Sequence, residues 1–139
     1  MTHEQYIELE TAKLAKQAGF DWEIDACYSR FQAELSLIEH DYNGNFNNTT
    51  EYICDKNSDW DWYSAPTQAV LQRWLREVHN MIIRVDYSPA NEYSDIDVYD
   101  SVVYTKWNQL VPVVGEYLTY ESALEAGLKK CLTLIIEKQ

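Results

Sequence analysis

The segment DYNGNFNNTTEY, residues 41–52, holds the residues of this chain most suggestive of chemistry. Asp41, Asn43 and Asn45 stand at positions one, three and five of a calcium-loop pattern. Such a loop also needs glycine at position six for its sharp turn and a bidentate glutamate at position twelve. Phe46 and Tyr52 occupy those places, and Glu51 falls one position early. A second near-match, Asp55, Asn57 and Asp59, has Trp60 and Pro66 at the same two positions. Both patterns fail where the geometry is strictest, and alternating Asp and Asn are the ordinary vocabulary of turns. The histidines, His3, His40 and His79, lack any partner at ligand spacing. Cys27, Cys54 and Cys131 form no CxxC pair and read as buried thiols in a reducing compartment. With only 4 Gly there is no phosphate-cradling loop, and no nucleophile elbow occurs. No catalytic residue, metal or cofactor is therefore expected. A hydrolase or metal enzyme assembled from distant residues, around His79, His40 or the cysteines, is the weakest of the functional readings.

The remaining candidates are contact-forming aromatics. The chain carries 11 Tyr and 5 Trp against 3 Phe, a balance that favours half-buried and interfacial positions. Trp60, Trp62 and Tyr63 in SDWDWY, with Tyr42 in the preceding turn-rich stretch, are the expected partner-contact residues. The competing reading folds those indoles down over the start of the next helix. Residues 87–107 supply a second Tyr-rich region.

Charge narrows the partner class. The net charge of −12 repels phosphate backbones and anionic membranes. Direct nucleic-acid or membrane binding is not expected. An acidic mimic of nucleic acid, occupying the basic groove of a host defence protein, is the alternative to a general protein-contact role. MTHEQYIELE cannot serve as a signal peptide's apolar region, and no apolar run nears the ~18 residues of a membrane span. A cytoplasmic location is expected, with homo-oligomerisation open.

The elements that must position these residues follow from periodicity. Thr2 and Gln5 fit a capping box, Ile7, Thr11, Leu14, Ala15 and Ala18 recur at helical spacing, and Gly19 suits a left-handed C-terminal residue. CYSRFQAELSLIEH has both helical and strand periodicity, and the turn-rich segment after it favours a strand; Tyr52–Cys54 is a further short strand. DKNSDWDWY reads as a loop. Ser64 and Pro66 start a second helix whose stripe is Val70, Leu71, Trp74, Leu75 and Val78, ending at His79. Alternation from Met81 to Tyr87 and from Ser101 to Trp107 predicts two strands, and Pro112 confines any strand in QLVPVVG to an edge. A third helix follows Thr119, with Tyr120, Leu124, Leu128, Cys131 and Ile135 inward. Gly127 costs that helix about 1 kcal/mol relative to Ala, which close approach of another backbone would explain. The chain is expected to form one α+β domain, 1–139, with a small antiparallel sheet packed by about three helices.

ETAKLAKQAGF, SAPTQAVLQRWLREVHNMIIRV and YESALEAGLKKCLTLI together resemble small uncharacterised proteins of Bacteroides-type gut bacteria and of their phages and mobile elements. The layout is also distantly similar to the phage α/β sandwich domain. The resemblance implies a phage or mobile-element origin and brings no activity or site residue. The expected role is that of an accessory protein acting by contact, its helical scaffold displaying the loops at 42–63 and 87–107.

Overall fold

A computed structural model describes residues 5–29, 32–37, 47, 62–106 and 109–139. It contains α1 (Leu9–Ala18), β1 (Ala26–Ser29), β2 (Gln32–Leu37), β3 (Trp62–Ser64), α2 (Gln68–His79), β4 (Ile82–Ser88), β5 (Val98–Tyr104), β6 (Leu110–Pro112) and α3 (Tyr120–Glu137). The fold is α+β. Among the described residues the strands form two antiparallel sheets, ordered β2-β1-β3 and β4-β5-β6, where the sequence suggested one. No helix among these residues is long and apolar enough to cross a membrane.

The chain between the sheets explains why they are separate. Ser64 pairs with Cys27, and the Ala65 N–H reaches the Ala26 carbonyl at 3.0 Å. Pro66 follows and has no N–H to continue the ladder. Residues 66–68 instead meet the extended N-terminal segment: Ile7 N–H donates to Pro66 O (3.1 Å) and Gln68 N–H to Gln5 O (2.7 Å). Ser64 is thus a strand residue, and the cap of α2 is Thr67, whose hydroxyl accepts from Val70 N at 3.2 Å. Two expectations are corrected here. Trp62–Ser64 is a strand, and Ser64 does not cap. The expected strand at Tyr52–Cys54 lies outside the described residues.

Helix α3 is the centre of the molecule, touching α1, α2, β4 and β5, while α1 also meets β3. Its buried residues include Leu124, Leu128, Cys131, Leu132 and Ile135. Gly127 lies over β4 and β5: a Cβ there would stand 2.6 Å from Ile83 Cγ2 and 3.5 Å from Ser101 Oγ. The approach is close, but the backbone contact expected from that glycine is corrected: the neighbours are side chains of the sheet, Ile83 and Ser101. On α2, Leu71, Trp74 and Leu75 are buried and Val78 is exposed, so the inward stripe is narrower than its sequence. Phe20 meets Trp74 edge-on at 5.3 Å.

The helix ends behave as local chemistry requires. Gly19 has φ 95°, and the N–H groups of Gly19 and Phe20 reach the carbonyls of Lys16 (3.2 Å) and Ala15 (2.9 Å). Asn80 takes the left-handed role after α2 with φ 55°. The start of α1 is different. The helix begins at Leu9, its N-cap Glu8 makes no side-chain cap, and Gln5 lies before it in the extended segment, so Thr2–Gln5 is not the cap box of α1. The carboxylate is supplied from α3. Glu125, only 5% exposed, accepts from the Glu8 N–H (3.0 Å) and the Thr11 hydroxyl through Oε2, and from Gln68 Nε2 (2.9 Å) through Oε1. One buried side chain thus ties the starts of α1 and α2 to α3, in favourable alignment with the positive end of the α1 dipole. Lys129 adds ion pairs to Glu8 (3.1 Å) and Glu10 (3.7 Å) at the surface.

Candidate interaction surface

Strands β4 and β5 pair without interruption from Ile82↔Tyr104 to Ser88↔Val98. Met81, Ile83, Ser101 and Val103 are buried on the side facing α3. That side continues beyond the first turn of the helix, because α3 begins only at Tyr120. There Tyr87 lies opposite Tyr99 with ring centroids 5.2 Å apart, and Tyr99 meets Tyr120 nearly perpendicularly at 6.4 Å. Tyr117 holds this end together by exchanging backbone hydrogen bonds with Tyr99 (2.7 and 2.8 Å), while its hydroxyl donates to Val114 O at 3.1 Å. Tyr87 is 53% exposed and Tyr120 47%, with Leu118, Val114 and Ile96 also exposed. Lone exposed apolar side chains need no explanation, whereas a group of them is a candidate contact surface.

The connection between the strands is organised by its own side chains. Asn91 and Ser94 exchange two backbone hydrogen bonds (2.8 and 3.2 Å), leaving Glu92 and Tyr93 at the turn. The Asn91 carboxamide accepts the Tyr93 N–H at 2.7 Å, and Asp97 accepts the Ala90 N–H at 2.8 Å. Tyr93 is thereby presented outward, 90% exposed. A turn whose backbone is held this way loses less conformational freedom on contact, one of the costs of ordering a loop at an interface.

Electrostatics at this end are one-sided. Desolvation beside its neighbours, then the hydrogen bond to Asp97, push the Tyr87 phenol up and keep it protonated. Asp86 stands opposite Asp100 in the strand register, an unfavourable pairing of like charges. Arg84 relieves it. Its guanidinium bonds Asp86 at 3.0 and 3.1 Å, donates to the Tyr104 hydroxyl and lies 5.4 Å from that ring's centroid.

Of the four aromatics singled out from sequence, Trp62 and Tyr63 fall elsewhere. Trp62 is half-buried and packed against the core, its indole N–H buried with no acceptor. Tyr63 is half-buried, with Lys16 and Lys13 at 5.1 and 5.8 Å from its ring, and Lys16 also donates to the Trp62 carbonyl at 3.1 Å. Tyr42 and Trp60 lie outside the described residues, as do both calcium-like patterns apart from Asn47 and residues 62–66. Asn47 donates to Phe20 O (2.8 Å) and accepts from Ser64 N (2.9 Å), a bridge within the scaffold.

His79 closes α2 against Trp74, ring centroids 4.7 Å apart, beside a depression of about 270 Å3 shared with Thr105, Lys106 and Ile135. Burial, then the charge of Lys106, push its pKa down, so it sits there as a neutral ring. Cys27 and Cys131 are buried free thiols, pushed up by burial to about 11 and about 12, which removes thiolate chemistry near neutrality. No group of three or more His, Cys, Asp or Glu among the described residues could hold a metal ion. His3, His40 and Cys54 lie outside the described residues.

The Tyr-rich stretch 87–107 was visible in the sequence. The meeting of Tyr87 and Tyr99 with Tyr120, and the outward set of Tyr93, were not. The only local signal was Asn91, a turn former two residues before Tyr93. Comparisons with protein-family models, with curated proteins and with solved structures returned no match.

Proposed function

We propose that the chain is an accessory protein that acts by protein–protein contact, with the β4–β5 end as its contact surface. The observation that carries this reading is the preorganised turn that exposes Tyr93 beside the half-exposed Tyr87–Tyr99–Tyr120 row. Exposed rings on a hydrogen-bonded turn and strand pair, with acidic residues nearby in sequence, have the composition of an interface centre with a polar rim. Origin in a phage or mobile element is proposed on the resemblance of the three sequence blocks alone. The segment with Trp60 and Trp62 is the other proposed contact region.

Affinity capture from the source cell separates the two regions. Tyr93→Ala combined with Tyr120→Ala is expected to lose specific partners while its thermal transition matches the wild type. If these variants keep every partner and Trp60→Ala/Trp62→Ala loses them, the surface belongs to the earlier loop. Retention by both pairs refutes a contact role for either region.

The acidic-mimic reading draws on the like-charged Asp86–Asp100 pair and the neighbouring Glu92, Asp95 and Asp97. It predicts competition with duplex DNA for a basic protein, weakening steeply with salt. A partner that binds the chain and DNA simultaneously would rule it out.

A further inference from the structure

We infer that the tyrosine row at the β4–β5 end binds an arginine-bearing segment of a protein partner. The inference rests on the reading of that end as a contact surface and specifies what the surface recognises. The chain's other described ring–cation contacts use cations of its own: Arg84 over Tyr104, Lys13 and Lys16 over Tyr63, and Arg73 over Trp22 at 5.8 Å. Around Tyr104 the arrangement is complete, with ring, phenol oxygen and the Asp86 carboxylate all engaging one guanidinium. Tyr87, Tyr99 and Tyr120 offer the same groups without the cation. The Asp97 carboxylate, which accepts the Ala90 N–H, also acts on the Tyr87 phenol, whereas Glu121 lines the depression beside Gln68 and Glu125. Among the described residues no cation of the chain lies over any of the three rings. No Lys or Arg occurs from Val85 to Thr105, or from Trp107 to Leu128.

Distances exclude a different cation chemistry. Rings 5.2 and 6.4 Å apart touch each other and leave no room for a quaternary ammonium between them, as an aromatic cage would require. What they present outward is a row of ring faces and edges with the Asp97 carboxylate at its Tyr87 end. A planar, weakly hydrated guanidinium can stack on that row and bond the carboxylate in its own plane. A compact lysine ammonium, strongly hydrated, gains less from the ring. Phosphate-bearing ligands meet only negative charge here.

The test uses the full-length protein and labelled nonapeptides carrying three arginines, or three lysines at the same positions, read by fluorescence anisotropy at low and moderate salt. The arginine peptide is expected to bind more tightly, by roughly 2–5-fold for each guanidinium on a ring. Tyr87→Ala/Tyr120→Ala should remove that preference and leave a weak, salt-sensitive affinity equal for the two peptides. Tyr120→Phe, which keeps the ring, should retain it. Equal binding of the two peptides to the wild type, or an unchanged preference in the double alanine variant, overturns the inference. If neither peptide binds while Tyr93→Ala/Tyr120→Ala still loses its captured partner, the arginine assignment falls and the contact surface stands. If that variant also keeps its partner, both fall.

Discussion

Replacing Glu125 tests how this molecule is assembled, because one carboxylate serves three donors from two other helices. Glu125→Ala leaves the Glu8 N–H, the Thr11 hydroxyl and one N–H of Gln68 without their acceptor. A hydrogen bond to a charged group is worth about 1.5–3 kcal/mol, so a simple sum approaches the whole stability of a domain, about 5–15 kcal/mol. Two features reduce it. The Thr11 hydroxyl can rotate to another acceptor, and the depression of about 280 Å3 beside Glu125, lined also by Gln5, Gln68 and Ser122, admits water to the vacated space. The expected loss is about 3–5 kcal/mol, in the range for removing one member of a buried charged network. Glu125→Gln keeps the shape but turns an amide N–H2 toward one of the donors. If it faces Gln68, that residue must reverse its own amide and give up its 3.0 Å bond to the Glu121 carbonyl. A loss of about 1–3 kcal/mol is expected. Urea unfolding followed by tryptophan fluorescence measures both, and the thermal midpoint should fall by roughly 3–5 °C per kcal/mol for a chain of this length. The required order is wild type above Glu125→Gln above Glu125→Ala. If Glu125→Ala costs under about 1 kcal/mol, the three hydrogen bonds do not hold the helices together and this account of the core fails.

Other outcomes follow from the same contacts. Gly127→Ala gains about 1 kcal/mol of helix propensity but drives a methyl into Ile83, an overpacking cost of about 1–3 kcal/mol, so the variant should be no more stable than the wild type. In an Ile83→Ala background the same substitution should become stabilising, and additive effects in denaturant melts would refute the close approach. At pH values below their raised ranges Cys27 and Cys131 should resist Ellman's reagent in the native protein and react fully once it is unfolded. The unfolded chain releases those protons from 9.0 upward while the fold retains them to about 11 and about 12, so this contribution to stability is lost as pH rises through that window. His79 runs the other way. Its folded pKa lies below 6.5, the unfolded chain takes up the proton first, and stability falls as pH drops below 6.5. An NMR titration should place its midpoint under 6.5, and His79→Phe should flatten the acid-side decline; a midpoint above 6.5 contradicts the burial against Trp74.

Much of the fold was legible in local sequence because its causes are local. A left-handed residue after a helix needs Gly or Asn, and Gly19 and Asn80 are where the periodic stripes end. Thr119 is a good cap followed by an apolar period, and α3 begins one residue later. Alternation from Met81 onward became β4, and Pro112 lies on edge strand β6, where a missing N–H breaks no ladder. The errors came where two local rules agreed but a distant partner decided. Ser64 and Thr67 are both good caps, and pairing of Ser64 with Cys27 assigned it to a strand.

Sequence alone therefore determined the three helices, the strands from β4 onward, the α+β class and the net acidity of the chain, since these depend on composition and on neighbours within about one helical turn. The tertiary structure decided the rest. Glu125 lies between Leu124 and Ala126 with charged residues one turn away on either side, and nothing there marks it as buried; its partners are up to 117 residues distant. Tyr87, Tyr99 and Tyr120 share one surface because the β4–β5 register and the late start of α3 bring them together. Those positions are set by packing across the whole chain, and no window of sequence contains both sides of such a contact.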